Sequence, residues 1–263
     1  MSISVASLED LSIGYRSGRD SRVVVKGLNA ELRQGALTCL LGVNGVGKST
    51  LLRTLAGFCP PLAGVVRLRG KAIGDYSHSE LSKLVSVVLT DRIDIRNMSV
   101  SDIVALGRSP YTGFWGALSR DDRESVDNAL RSVGILSLKD RLIQTLSDGE
   151  RQKTMIAKAL AQQTPVILLD EPTAFLDFPA KVETMRILRR FAHTLNRTVL
   201  LSTHDVELSL QLADELWLMS SSEGITQGTP EALSNSGRIA GLFSSADVVY
   251  DAHRRQFRIS VEE

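Results

Sequence analysis

Residues Gly42-Val43-Asn44-Gly45-Val46-Gly47-Lys48-Ser49-Thr50 narrow the possible folds of this chain more than any other stretch. An apolar run, Leu37 to Leu41, precedes them and has the length of a buried strand. Leu51, Leu52, Leu55 and Ala56 follow at helical spacing, with Gly57 as a stop. Strand, glycine-rich loop and helix in that order form a phosphate-binding loop. Glycines let backbone N–H groups turn inward around phosphates, Lys48 brings charge to the outer ones, and the Ser49 hydroxyl can hold Mg²⁺. The helix N-terminus adds partial positive charge. The loop predicts binding of a nucleoside triphosphate.

The 263 residues suffice for a sizeable core in one large domain or a domain with a subdomain. A net charge of +1 argues against a general nucleic-acid surface, so no nucleic-acid partner is expected. No apolar run approaches a membrane span, and Glu9 and Asp10 sit where a secretory signal would be apolar. A cytoplasmic protein that reaches any membrane through a partner is the expectation. Cys39 and Cys59 are the two cysteines, one within the strand and one before Pro60-Pro61, and they suggest no disulfide framework.

Along the chain, Ile3 to Leu8, Leu11 to Tyr15, Val23 to Val25 and Leu28 to Leu32 have strand character. Val65 to Leu68 and Val85 to Leu89 extend the series. Helical spacing dominates from Val100 to Gln163, broken by an aromatic loop from Ser109 to Leu118. Apolar runs short enough for parallel strands return at Val166 to Leu169 and Thr198 to Leu201. Between them Asp177 starts a helix with Pro179 in its first turn and an apolar stripe of Val182, Met185, Leu188, Ala192 and Leu195. Asp247 to Val261 suggests two short strands around His253-Arg254-Arg255. The expected architecture is an α/β nucleotide-binding core with a helical insertion.

Two further motifs carry chemistry. Val166 to Leu169 deliver Asp170 and Glu171 to the carboxyl end of a strand, where open α/β sheets bind ligands. Asp170 suits Mg²⁺, an ion that keeps much of its water shell, and Glu171 can accept a proton from an attacking water. Leu146-Ser147-Asp148-Gly149-Glu150-Arg151-Gln152 opens a helix. Ser147 and Glu150 have capping-box spacing, which by itself signifies a well-capped helix. The same helix start, with a Ser hydroxyl and the Gly149 amide, is also a phosphate site.

Taken together, these motifs resemble those of the ATP-binding subunits of ABC transporters. The phosphate loop matches Walker A and the carboxylate strand Walker B, and Leu146 to Gln152 is similar to the signature, usually Leu-Ser-Gly-Gly-Gln. Ala174-Phe175-Leu176-Asp177 resembles the D-loop, and Ser202-Thr203-His204-Asp205 the switch-histidine segment. Tyr15 stands where the family stacks an aromatic on adenine. Gly107 to Gly116, with Tyr111, Phe114 and Trp115, is similar to a segment of importer ATPases for iron–siderophore complexes, haem and cobalamin.

The resemblance implies a P-loop NTPase fold of ABC type, α/β, with an N-terminal antiparallel β subdomain and an inserted α-helical subdomain. An ATPase domain over 1–230, a helical insertion at about 91–163 and a C-terminal extension over 231–263 are expected. It implies ATP hydrolysis with ATP and Mg²⁺. Glu171, His204 and Lys48 would be catalytic. Tyr15, Gly42, Asn44, Gly45, Gly47, Lys48, Ser49, Thr50, Ser147, Gly149 and Asp177 would bind ATP, with Ser49, Asp170 and Thr90 as the metal set. A head-to-tail homodimer, membrane permease subunits and, indirectly, a substrate-binding protein would be partners, at the cytoplasmic face of the inner membrane. The function implied is uptake of an iron chelate (siderophore or haem) or cobalamin. A soluble ABC ATPase and an exporter ATPase are the alternatives.

Two positions depart from the family pattern. Thr90 stands where a glutamine reaches Mg²⁺ and the attacking water; its hydroxyl is shorter, so coordination needs a backbone shift or a bridging water, and either ATP-linked coupling differs in detail or neighbouring Asp91 contributes. Asp148 replaces the first signature glycine, in a first helical turn that favours a carboxylate electrostatically.

Overall fold

The computed structural model describes residues 4–17, 20–89, 96–113, 116–245 and 247–259. Two sheets form the body. The first, in order β2-β1-β4-β5, is antiparallel and consists of β1 (Ser4–Ser17), β2 (Asp20–Arg33), β4 (Ala63–Leu68) and β5 (Lys71–Ala72). The second runs β10-β9-β3-β8-β7-β6. Here β3 (Leu37–Leu41), β6 (Val85–Val88), β7 (Val166–Asp170), β8 (Thr198–Ser202) and β9 (Glu215–Ser220) are parallel, and β10 (Gly224–Gly228) adds an antiparallel edge.

Parallel strands covered on both faces need apolar residues throughout, and β3, β7 and β8 are buried at every position. Their side chains alternate between two cores. Leu40, Leu168, Leu200 and Trp217 face the antiparallel sheet and α1 (Lys48–Leu55). Cys39, Leu41, Ile167, Leu169 and Leu201 face the helices. Those are α3 (Val100–Ala105), α4 (Arg120–Ser132), α5 (Asp148–Ala161), α6 (Phe178–Thr194) and α7 (Val206–Leu212), while α2 (His78–Ser82) lies beside β6. Burial pushes the Cys39 thiol pKa up to about 12, so this sulfur is an apolar filler. Both cysteines are free.

Capping residues explain where the helices begin. Ser99, Ser119 and Ser147 each complete a capping box with Asp102, Asp122 and Glu150, and Asp177 Oδ1 accepts from Ala180 N at 3.0 Å. The chain closes with α8 (Pro230–Asn235), α9 (Arg238–Phe243) and a hairpin of β11 (Val248–Asp251) and β12 (Gln256–Ile259). Tyr250, Phe257 and Phe243 pack together there, and Phe257 N donates to Glu207 Oε1 on α7 at 2.8 Å. Among the described residues no helix is long and apolar enough to cross a membrane.

Three details differ from the sequence expectations. The two strands expected over Ile3 to Tyr15 are one strand, β1, kinked at Asp10. There the backbone is left-handed (φ 48°), and its N–H is bonded by Asn29 Oδ1 at 2.9 Å. The pair expected over Val23 to Leu32 is likewise one strand, β2. Leu195, placed on the apolar stripe of α6, lies past the helix end and is 52% exposed, because the chain turns left-handed at Asn196.

Candidate active site

Beyond the carboxyl ends of β3, β7 and β8 lies a cavity of about 480 Å³. Tyr15, Asn44, Gly45, Gly47, Lys48, Ser49, Thr50, Glu171 and His204 line it, with Arg22, Val23 and Val24 from β2. The loop turns through Gly45 (φ 77°) and Gly47 (φ 111°), and a Cβ on Gly47 would come within 2.7 Å of Val24. Gly47 caps α1 with no side-chain hydrogen bond, leaving the first-turn N–H groups to a ligand. Gly42 serves differently. It does not line the cavity; a Cβ there would lie 2.6 Å from Met219 O, and its carbonyl accepts from Lys48 Nζ at 2.9 Å.

Lys48 is 6% exposed and donates a second, longer bond to Val43 O at 3.4 Å. Burial lowers its pKa, and the carboxylates of Glu171 and Asp170 work against that shift. Both current acceptors belong to the loop itself, so a phosphate oxygen can replace them without leaving the ammonium unpaired. Tyr15 pairs its hydroxyl with Thr50 Oγ1 at 2.7 Å, which seats the ring at the cavity wall.

Ser49 Oγ donates to Asp170 Oδ1 at 3.0 Å. Two hard oxygen donors at that spacing, beside a phosphate cradle, fit Mg²⁺. Glu171 adopts a left-handed backbone (φ 48°), and its Oε1 meets His204 Nε2 at 2.5 Å. The residues on either side of His204 are tied down: Asp205 N donates to Thr203 Oγ1 at 3.1 Å, and Lys181 Nζ pairs with Asp205 at 3.1 Å.

Ser147, Gly149 and Asp177 do not line this cavity. Ser147 is occupied as a cap, its Oγ accepting from Glu150 N at 3.3 Å and donating to Glu150 Oε2 at 3.0 Å. A Cβ on Gly149 would meet nothing within 4 Å, so nothing inside the chain requires glycine there. Asp148 lies in the first turn of α5, as expected, and is exposed. Thr90 and Asp91 lie outside the described residues, as do Phe114 and Trp115 of the aromatic segment.

The rest of that segment packs against the end of α5. Arg108, 6% exposed, donates from Nε to Asp122 Oδ1 (2.9 Å) and from Nη1 to Ala161 O (2.7 Å) and Gln163 Oε1 (3.1 Å). Its guanidinium lies 4.1 Å from the Tyr111 ring, whose hydroxyl donates to Gln162 O at 2.9 Å. Sequence reasoning missed Arg22, and it named Ser202 only as the start of the switch-histidine segment, without its contact to Asp170. Arg22 is placed by its register opposite Tyr15, and Ser202 by its register beside Asp170; neither pairing has a local signature.

A phosphate-binding loop, a serine–aspartate pair and a carboxylate–histidine contact at the carboxyl end of one parallel sheet fit a nucleotide hydrolase. The ABC transporter family model matches residues 25–174. An uncharacterized ABC transporter ATP-binding protein of Methanocaldococcus jannaschii is 44% identical over 223 residues, covering 85% of this chain and 76% of its own. The iron(3+)-hydroxamate import ATP-binding protein FhuC of Bacillus subtilis is 33% identical over 246 residues, covering 93% and 90%. The solved structure of cbiO1 from Clostridium perfringens, part of the ABC transporter complex cbiONQ, has a TM-score of 0.77. It is 31% identical, with 90% of this chain and 93% of that one covered. This chain belongs to the ABC transporter family, as an ATPase.

Proposed function

We propose that this ATPase powers uptake of an iron chelate through a membrane permease, working as a head-to-tail homodimer at the cytoplasmic face of the membrane. The observation that carries the choice of cargo is the kinship over 93% of the chain with an iron(3+)-hydroxamate import ATP-binding protein. The permease and its substrate-binding protein would select the molecule; a siderophore is the first choice of iron chelate, haem the second, and cobalamin the remaining alternative. An ATPase domain over 1–230 with a helical insertion near 91–163, and an extension over 231–263, is our division of the chain.

Lys48 and the amides of Gly45, Gly47 and α1 hold the phosphates, and Asn44 and Thr50 complete the rim. Tyr15 stacks on adenine. Ser49 and Asp170 would hold Mg²⁺; Thr90, the third member of the metal set read from the sequence, lies outside the described residues. Bound there, the ion would neutralise charge on the β- and γ-phosphate oxygens. Glu171 accepts the proton of the attacking water. His204, now on Glu171, exchanges that contact for the γ-phosphate and so reports its presence. Ser147 and Gly149 of the second copy close over the γ-phosphate, which accounts for a glycine with open space around it, and Asp177 lies at the same junction. Most of the rate comes from positioning and charge stabilisation.

Reconstitution with the permease in proteoliposomes tests the reading. ATP-dependent accumulation of ferric hydroxamate is expected. Accumulation of haem or cobalamin alone would move the cargo, outward transport would make the protein an exporter, and purification without any permease would favour a soluble ATPase.

A further inference from the structure

One hydroxyl lies behind both carboxylates without facing the cavity. Ser202 ends β8, is fully buried, and pairs in register with Asp170 on β7. Its Oγ donates to Asp170 Oδ1 at 2.7 Å and accepts from Glu171 N at 2.9 Å. A serine hydroxyl has one proton to give, and this one goes to Asp170. Asp170 Oδ1 therefore receives two hydroxyls, Ser202 from within the sheet and Ser49 from the loop. Ser49 sits in the cavity and is exposed to whatever binds there; Ser202 is not.

The bond to Glu171 N has a different consequence. Glu171 is a non-glycine residue at φ 48°, a conformation that L side chains adopt only when the surroundings hold them. Its N–H lies at the junction where the strand ends and this turn begins. Anchoring that N–H fixes the direction in which the Glu171 side chain leaves the backbone, and with it the contact to His204.

We propose that Ser202 is a positioning residue that sets the Asp170 carboxylate and the left-handed turn at Glu171 as one unit, aligning the metal ligand with the proton acceptor. The proposal rests on the reading in which Asp170 and Glu171 serve ATP hydrolysis, and it goes beyond it by assigning a residue that touches neither nucleotide nor metal.

Full-length Ser202→Ala, Ser202→Cys and Ser202→Thr test it, with Glu171→Gln alongside. Four quantities are measured: exchange of the Glu171 amide with D₂O in the nucleotide-free protein, Mn²⁺ affinity by EPR with a non-hydrolysable ATP analogue, metal-free nucleotide affinity, and turnover. In Ser202→Ala the amide should exchange about tenfold faster, the measure of one hydrogen bond. Mn²⁺ affinity and turnover should each fall by about 10–100-fold, the usual effect of removing an outer partner of a metal ligand. Metal-free nucleotide affinity should stay constant. Ser202→Thr keeps the hydroxyl and should restore most of each loss. Ser202→Cys leaves no void and replaces the hydroxyl by a weak S–H donor, so it should lose Mn²⁺ affinity as alanine does, which covers the case of an alanine variant that folds poorly. Unchanged amide exchange and Mn²⁺ affinity in the alanine and cysteine variants would overturn the proposal, as would a folded threonine variant with no recovery. Glu171→Gln separates this from the underlying reading: near wild-type turnover there removes Glu171 as the proton acceptor, whereas Mn²⁺ binding still decides what Ser202 does to Asp170.

Discussion

Around Arg108 the buried polar groups are matched to partners that stay in place. Its guanidinium serves Asp122, the Ala161 carbonyl, Gln163 and the Tyr111 ring, and Tyr111 in turn takes the next carbonyl of α5. Around Lys48 the partners are provisional. The ammonium rests on carbonyls of its own loop, Ser49 on Asp170, and His204 on Glu171, each a contact a nucleotide or metal can take over. Both regions bury a cation, yet they answer differently to the cost of doing so. The Arg108 cluster is closed and holds α3, α4 and α5 together. The Lys48 cluster is open, held in readiness by left-handed backbone at Gly47 and Glu171. A buried charge by itself therefore says little about function; what matters is whether its partners can be exchanged.

The sharpest way to break this contrast is Glu171→Gln. Turnover should fall by about 10²–10⁴-fold, the usual worth of a positioned proton acceptor, with the melting temperature unchanged. A stability loss with normal turnover would place Glu171 in the closed class. Arg108→Ala should do the reverse. Removing one partner of a buried pair should cost about 3 kcal/mol in urea denaturation while ATP affinity per folded molecule holds. Lysine should rescue only part of that loss, since it lacks the fork that reaches Asp122 and Ala161 together.

Ser147 belongs to the contrast from both sides. Ser147→Ala should cost about 1 kcal/mol of stability as a lost cap. If a second copy presents Ser147 to ATP, turnover measured on the same sample should fall further than the folded fraction does; equal losses would leave Ser147 a cap alone. The smallest effect concerns Asp122. The Ser119 hydroxyl and then Arg108 hold its pKa at about 2, below the ordinary 3.8. A folded value below the unfolded one means its stabilising contribution is present above about pH 4 and is lost as pH falls towards 2. Carboxyl ¹³C titration should find the midpoint near 2, and Arg108→Ala should raise it.

Much of the open cluster was legible beforehand because its parts are local. The run from Leu37 to Thr50 contains a strand, its loop and its helix start, and β3 begins and ends where the apolar run does. Asp170 ends its strand and Glu171 follows it directly, and the capping box of Ser147 and Glu150 marks the start of α5. What escaped depends on residues far apart in sequence. Asp10 looked like a strand break, but Asn29 on the neighbouring strand satisfies its N–H and the strand continues. Leu195 kept helical spacing although the helix had ended one residue earlier. Arg22 and Ser202 acquire their places from strand register, and Arg108 its role from a carbonyl 53 positions away. Side-chain type and spacing carry no trace of such pairings.

The sheet order has a consequence for how the protein is made. β3 is flanked by β8 and β9, and Leu37 N is bonded by Asp214, 177 positions later. At about 5–20 residues per second, the ribosome needs on the order of ten seconds or more between the two. For most of that interval, until β8 is made, the strand that leads into the phosphate loop has neither neighbour, and its apolar edges stay open to other nascent chains. The nucleotide pocket is thus among the last parts to assemble, although its defining loop is among the first to be synthesised.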